Sequence, residues 1–247
     1  ETLVVYNWVD YIYNQEELEN DFAEYYLQKT GKKVKITYVT FDTNETMLTK
    51  VMRGDSAIDV MCPSEYAIQK LIEGGYLQKV GYFTDPNFEN ADKIDGAIVT
   101  KIRESFSTAG FDMSEYFVPY MWGTLGVLYN ADVIDPQEAE AAGWGLLWNK
   151  NSAGKVSDSI SKKIYMKDSI RDSYCAVVMY MKEYGLLPAE YAELPVETLI
   201  NTVDDKLLAA AEEVLKAQKS ELYGYEVDFG KNELIAGTAL VDLAWSG

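Results

Sequence analysis

Short apolar runs rich in β-formers alternate, over the first 75 residues, with longer stretches whose apolar side chains recur at helical spacing. Residues 3–8 (LVVYNW) read as a buried strand. Residues 16–30 carry Leu18, Phe22, Tyr25 and Tyr26 at helix spacing and stop at Gly31. Residues 33–40 (KVKITYVT) alternate polar and apolar groups at period two, as a second strand does. A helix over 44–53, punctuation at Gly54-Asp55, a short strand over 58–62 (IDVMC) halted by Pro63, and a helix over 66–73 ending at Gly74-Gly75 follow. This order predicts a mainly parallel sheet with helices on its faces. Ligands of such sheets bind beyond the carboxyl ends of the strands. There the sequence sets aromatic and acidic residues: Asn7, Trp8 and Tyr11, then residues 42–46, then 63–66.

Further on, residues 82–90 are turn-rich, and 116–130 (YFVPYMWGTLGVLYN) form an apolar stretch broken by Pro119 and Gly123 that is suited to cross between lobes. Residues 132–148 read as partly helical, 163–166 as a strand, 173–184 as an apolar helix ended by Gly185, and 237–245 (GTALVDLAW) as a final strand. The strongest amphipathic helix spans 204–220, with Leu207, Leu208, Ala211 and Leu215 expected on its core face.

Charge and composition narrow the function. Lys and Arg total 22 against 40 Asp and Glu, a net charge of −18 that opposes binding to nucleic acid or anionic lipid and favours a cationic partner. The same acidity also serves solubility. The chain has no histidine, which removes Ser-His-Asp and Cys-His nucleophiles and leaves any zinc site to carboxylates. Cys62 and Cys175 lie in apolar contexts without metal-ligand spacing and read as buried free thiols. Dinucleotide, phosphate-loop and zinc fingerprints are missing, so neither a cofactor nor a metal is expected. No run approaches the roughly 18 apolar residues of a membrane span.

Six collinear stretches (YNWVDYI, TNETM, DVMCPSEY, PYMWGTLGVLYN, KDSIRD and LAWSG) resemble the spermidine/putrescine-binding proteins, the extracytoplasmic solute receptors of polyamine ABC transporters. The resemblance implies an α/β, two-lobed periplasmic-binding-protein clamshell of type II that closes by hinge motion. It implies lobe 1 over 1–124, lobe 2 over 125–244, and the start of a return crossing over 245–247. Family members continue for about a third of their length beyond a LAWSG-like strand, so the chain reads as lacking the C-terminal part. A monomer is expected, partnered by the polyamine and by ABC transporter permease subunits, in the periplasm or on the outer face of the membrane. The parent protein is lipid-anchored, periplasmic or fused to a permease.

A polyamine needs aromatic faces for its methylenes and carboxylates for its ammonium groups. The resemblance assigns Trp8 and Tyr11 to an aromatic wall after the first strand, with Asp10 between them as either an ammonium partner or a solvated loop acid. It assigns Ser64, Glu65 and Tyr66 to the end of the third strand, where Tyr66 is the ligand-facing ring and Glu65 suits a helix N-terminus. In the second lobe it assigns Asp172 as a ligand acid, and Ser169 stands where relatives carry another. Ser169 or Asp168 also suits a helix cap. Trp245 matches a crossing-strand Trp that stacks on ligand, while Asn44 and Glu45 frame the site. Two other readings stay open: the same receptor fold with a different small cationic or metal ligand, and a cleft enzyme using Glu65 and Asp172 as paired acids.

Overall fold

The computed structural model describes residues 1–247 except 10, 55, 56, 83, 87, 108 and 247. The chain divides into two compact units, Glu1–Trp122 and Gly123–Gly247.

The first unit opens with β1 (Thr2–Trp8), α1 (Gln15–Thr30), β2 (Lys35–Phe41), α2 (Asn44–Arg53), β3 (Val60–Met61) and α3 (Glu65–Glu73). The three strands pair in parallel, in the order β2-β1-β3, as βαβ connections require. The register sets Trp8 opposite Phe41 and Tyr6 opposite Met61, so the strand ends gather on one rim. Each helix stops where the sequence signals it: the backbone turns left-handed at Gly31 and Gly54, which costs a glycine nothing. A small core of Tyr6, Phe41, Met47, Leu48, Ala67 and Leu71 lies under the rim. β3 is shorter than the sequence predicts because only Val60 and Met61 find ladder partners. The helically spaced residues of α1 bury nothing: Leu18, Phe22 and Tyr25 are all exposed. A fourth helix, α4 (Gly96–Ser105), completes the unit and was not legible in its turn-rich surroundings.

The second unit holds the larger core. Its elements are β4 (Leu125–Tyr129), α5 (Pro136–Ala142), a 3₁₀ turn over Gly143–Trp148, and the hairpin of β5 (Lys150–Asn151) and β6 (Gly154–Lys155). There follow β7 (Ile164–Lys167), α6 (Ile170–Glu183), α7 (Val196–Leu199), α8 (Asp205–Gln218), β8 (Leu222–Glu226), α9 (Gly230–Ile235) and β9 (Val241–Trp245). The sheet order is β4-β9-β7-β8, with β4 antiparallel to β9 and the others parallel. Period-two alternation sends Ile164, Met166, Val241 and Leu243 into the main core, against Val177, Met181 and Leu207. Tyr165, Lys167 and Asp242 alternate with them on the other face.

Differences from the sequence reading have local causes. α6 starts three residues earlier than its apolar run, because Ser169 caps it by accepting the Asp172 N–H at 3.3 Å. β9 begins at Val241, since Gly237 ends α9 in a left-handed turn. Cys62 and Cys175 are half-buried rather than buried, and burial pushes the Cys62 thiol up to about 11. No described helix is long and apolar enough to cross a membrane.

On α8, Leu207 is fully buried whereas its neighbour Leu208 is 40% exposed. Leu207→Ala should therefore cost about 2–5 kcal/mol in urea denaturation, and Leu208→Ala less than about 1 kcal/mol. Equal losses would contradict the core assignment.

Candidate functional site

In the first unit, the candidate residues sit at the carboxyl ends of the parallel strands. Trp8 closes β1 with its ring 4.6 Å from that of Phe41, and the Tyr11 ring stands 6.0 Å from Trp8. Tyr120 continues the series, 6.3 Å from Tyr11. Buried Asn7 fixes this corner: its side-chain oxygen accepts the Trp8 N–H at 2.8 Å, and its amide donates to the Tyr38 hydroxyl at 2.7 Å. Asp10 lies outside the described residues.

The loop after β3 is tied to the start of α2 through buried Asn44. Its amide nitrogen donates to Ser64 Oγ and to the Tyr66 hydroxyl, both at 3.0 Å, and its oxygen accepts the Ser64 N–H at 3.1 Å. The Tyr66 hydroxyl in turn donates to Glu45 Oε1 at 3.2 Å. Tyr66 thus presents a ring whose hydroxyl is fixed by a carboxylate, and Lys70 Nζ lies 6.0 Å from the ring centre. Trp8 and Tyr66 both pack on the same small core, so the structure brings these two predicted residues to one rim. Glu65 is exposed in the first turn of α3, where a carboxylate suits the helix dipole. Ser64 precedes that helix without a side-chain capping bond.

In the second unit, β7 and β9 run parallel, and the residues following their carboxyl ends meet. The Trp245 indole N–H donates to Asp172 Oδ2 at 3.2 Å, and Trp245 is 41% exposed. Asp172 stands in the first turn of α6, where the helix N-terminus favours its charge. Ser169 is occupied as the cap of that helix. Ser173 Oγ donates to the Lys167 carbonyl at 2.7 Å, and the Asp168 N–H to the Glu226 carbonyl at 2.7 Å, so the turn between β7 and α6 is held from both sides. Arg171 points elsewhere, donating to the Ile200 carbonyl at 2.6 Å and to Asn201 Oδ1 at 2.8 Å. An exposed indole face beside a fixed carboxylate is chemically suited to an alkylammonium group.

Sequence reasoning did not find Phe41 and Tyr120 as members of the aromatic series. It also missed an ionic cluster behind the second rim, formed by buried Lys167, Glu226 and Asp242 with exposed Asp228 at its edge. The one visible signal was an acid inside the apolar run GTALVDLAW. Among the described residues, no group of three or more Cys, Asp or Glu side chains is arranged to hold a metal ion.

A sequence profile described as bacterial extracellular solute-binding protein matches residues 12–155, more than half of the chain. The spermidine/putrescine-binding periplasmic protein of Salmonella typhimurium is 26% identical over 251 residues, covering 100% of this chain and 59% of that protein. The putrescine-binding periplasmic protein SpuD of Pseudomonas aeruginosa is 28% identical, covering 99% and 58%. The crystal structure of the spermidine/putrescine ABC transporter substrate-binding protein PotD from Streptococcus pneumoniae superposes with a TM-score of 0.59 at 25% identity, covering 100% of this chain and 62% of that one. The chain thus spans about three-fifths of the length of the relatives it matches. It belongs to the bacterial extracellular solute-binding protein family, whose members are extracytoplasmic receptors for solutes and not enzymes.

Proposed function

We propose that this chain is the receptor part of a polyamine uptake system, binding a small di- or triamine such as putrescine or spermidine for delivery to the permease of an ABC transporter. The observation that carries this reading is the Trp245–Asp172 pair, an exposed indole whose N–H holds a carboxylate at 3.2 Å. Cation-π contact with such a ring contributes about 0.5–2 kcal/mol, and a charge-assisted hydrogen bond to the carboxylate about 1.5–3 kcal/mol.

The aromatic series of Trp8 and Tyr11, and Tyr66 with its Glu45 partner, supply matching chemistry from the first unit. We assign Trp8, Tyr11, Tyr66, Asp172 and Trp245 as ligand-contacting groups. Asp10, Ser64, Glu65 and Ser169 complete the set. A net charge of −18 favours a cationic cargo, and engagement of Arg171 with Ile200 and Asn201 disfavours an anionic one. The names of the relatives, spermidine/putrescine-binding and putrescine-binding, support the same class. Because Ser169 carries no charge and is occupied as a cap, Asp172 acts without a second acid at that position. This favours a compact diamine over a longer polyamine.

Calorimetric titration with putrescine, spermidine and spermine, beside a neutral sugar, tests this reading. Asp172→Asn should weaken amine binding about 10–100-fold, in line with the loss of one charge-assisted bond. Trp245→Ala and Trp8→Ala should each weaken it roughly 3–30-fold, as expected for loss of a cation-π face. Binding of the sugar in place of the amines, or amine binding unaltered by all three substitutions, would refute it.

A further inference from the structure

The second unit buries two acids, Asp242 and Glu226, for which the binding reading has no use. Asp242, the second residue of β9, is 0% exposed, opposite Tyr165 of β7 and Leu128 of β4, and neither of its carboxylate oxygens has a hydrogen-bond partner. Its neighbour Glu226, also buried, is fully satisfied: one oxygen pairs with Lys167 Nζ and the other accepts the Gly230 N–H at 2.8 Å. Lys167 is occupied as well, by Glu226, by the Val227 carbonyl and by Asp228 at 3.6 Å. One ammonium therefore already serves two carboxylates before Asp242 is counted. An ionised carboxylate with no bond and no counterion of its own is among the costliest groups to bury.

A cation could cancel that charge only if there were room for one. The first residue of α9 closes the approach: a Cβ built on Gly230 would lie 2.2 Å from Asp242 Oδ2 and 2.7 Å from Oδ1, so the helix backbone sits directly against the carboxyl. A proton needs no such room. The groups that act on Asp242 come from each element around it. They are Glu226 on β8, Lys167 on β7, Asp228 in the turn before α9, and Lys231 on α9, while Tyr165, opposite Asp242 on β7, itself feels Glu233 of α9. Burial raises the Asp242 carboxyl to about 7, helped by Glu226 and Asp228 and opposed by Lys167 and Lys231.

We propose that Asp242 is a proton-binding latch: the folded second unit holds a proton on this carboxyl, and release of the proton sets a second buried negative charge beside Glu226 and loosens α9 from β9. The sign follows from linkage. The folded-state value lies above the unfolded one, so the group's stability is fully present below pH 3.8 and is lost as pH rises towards about 7. Within that window the folding constant falls about tenfold per pH unit from this group alone. β9 also ends in Trp245, so the latch lies on the strand that carries the candidate site.

Two measurements on this chain test the proposal. In urea denaturation from about pH 5 to about pH 8, the stability of the native chain should fall relative to Asp242→Asn, with the ratio of their folding constants changing about 100-fold. Carbon NMR of chain labelled with ¹³C at the aspartate carboxyls should show one carboxyl titrating near neutrality, lost in Asp242→Asn and retained in Asp228→Asn. If Asp242→Asn does not fold, the native and Asp228→Asn spectra decide. Parallel stability profiles, or aspartates that all titrate below about pH 5 as ordinary carboxyls do, would overturn it.

Discussion

Parallel pairing of β7 with β9 is the constraint on which the second unit depends. With Ile164 opposite Val241 and Tyr165 opposite Asp242, both strands point their carboxyl ends the same way. The chain leaving β7 caps α6 at once with Ser169, and the first turn of that helix then carries Asp172 to the indole at the end of β9. The contact between Asp172 and Trp245 is thus fixed by strand register and a helix cap, both rigid features. A one-residue slip of β9 would turn Trp245 to the other face and bury the wrong set of side chains.

The same register separates two environments. One face of the sheet sends Ile164, Met166, Val241 and Leu243 into an apolar core. The other gathers Lys167, Glu226 and Asp242 beneath the short helix α9, whose first residue is a glycine because a side chain there would collide with Asp242. Buried ion pairs contribute little net stability, since desolvation offsets much of their attraction, but removing one partner is costly. The cluster is better understood as setting the position of α9 and the β7–α6 turn than as a source of stability.

Much of this architecture was legible in the sequence. Periodicity and glycine stops gave the βαβ order of the first unit, and the collinear motifs pointed to the family. Trp8, Tyr66, Asp172 and Trp245 stand at strand ends or on the first turns of the helices that follow. What was not legible depends on tertiary pairing. Phe41 joins Trp8 only through the parallel register, and Asn44 acts on Ser64 and Tyr66 across separations of 20 and 22 residues. Leu208 looked like a core residue because the helical stripe is broad, yet of the apolar side chains on α8 Leu207 and Ala211 alone are buried, with the Gln218 amide buried beside them. Asp242 was visible as an acid within an apolar strand, but its lack of partners follows from how Glu226 and Gly230 pack around it.

The chain has five tryptophans, and their indole N–H signals offer the most direct test of where ligand binds. Trp148 is stacked on Tyr180 at 4.1 Å within the second core and donates to the Val214 carbonyl, so it serves as an internal reference. In ¹⁵N NMR spectra recorded during titration with putrescine, the Trp8 and Trp245 indole signals should shift with a common saturation curve while Trp148 stays fixed. Saturable binding that leaves both Trp8 and Trp245 unmoved would contradict the assignment of these strand ends as the ligand site.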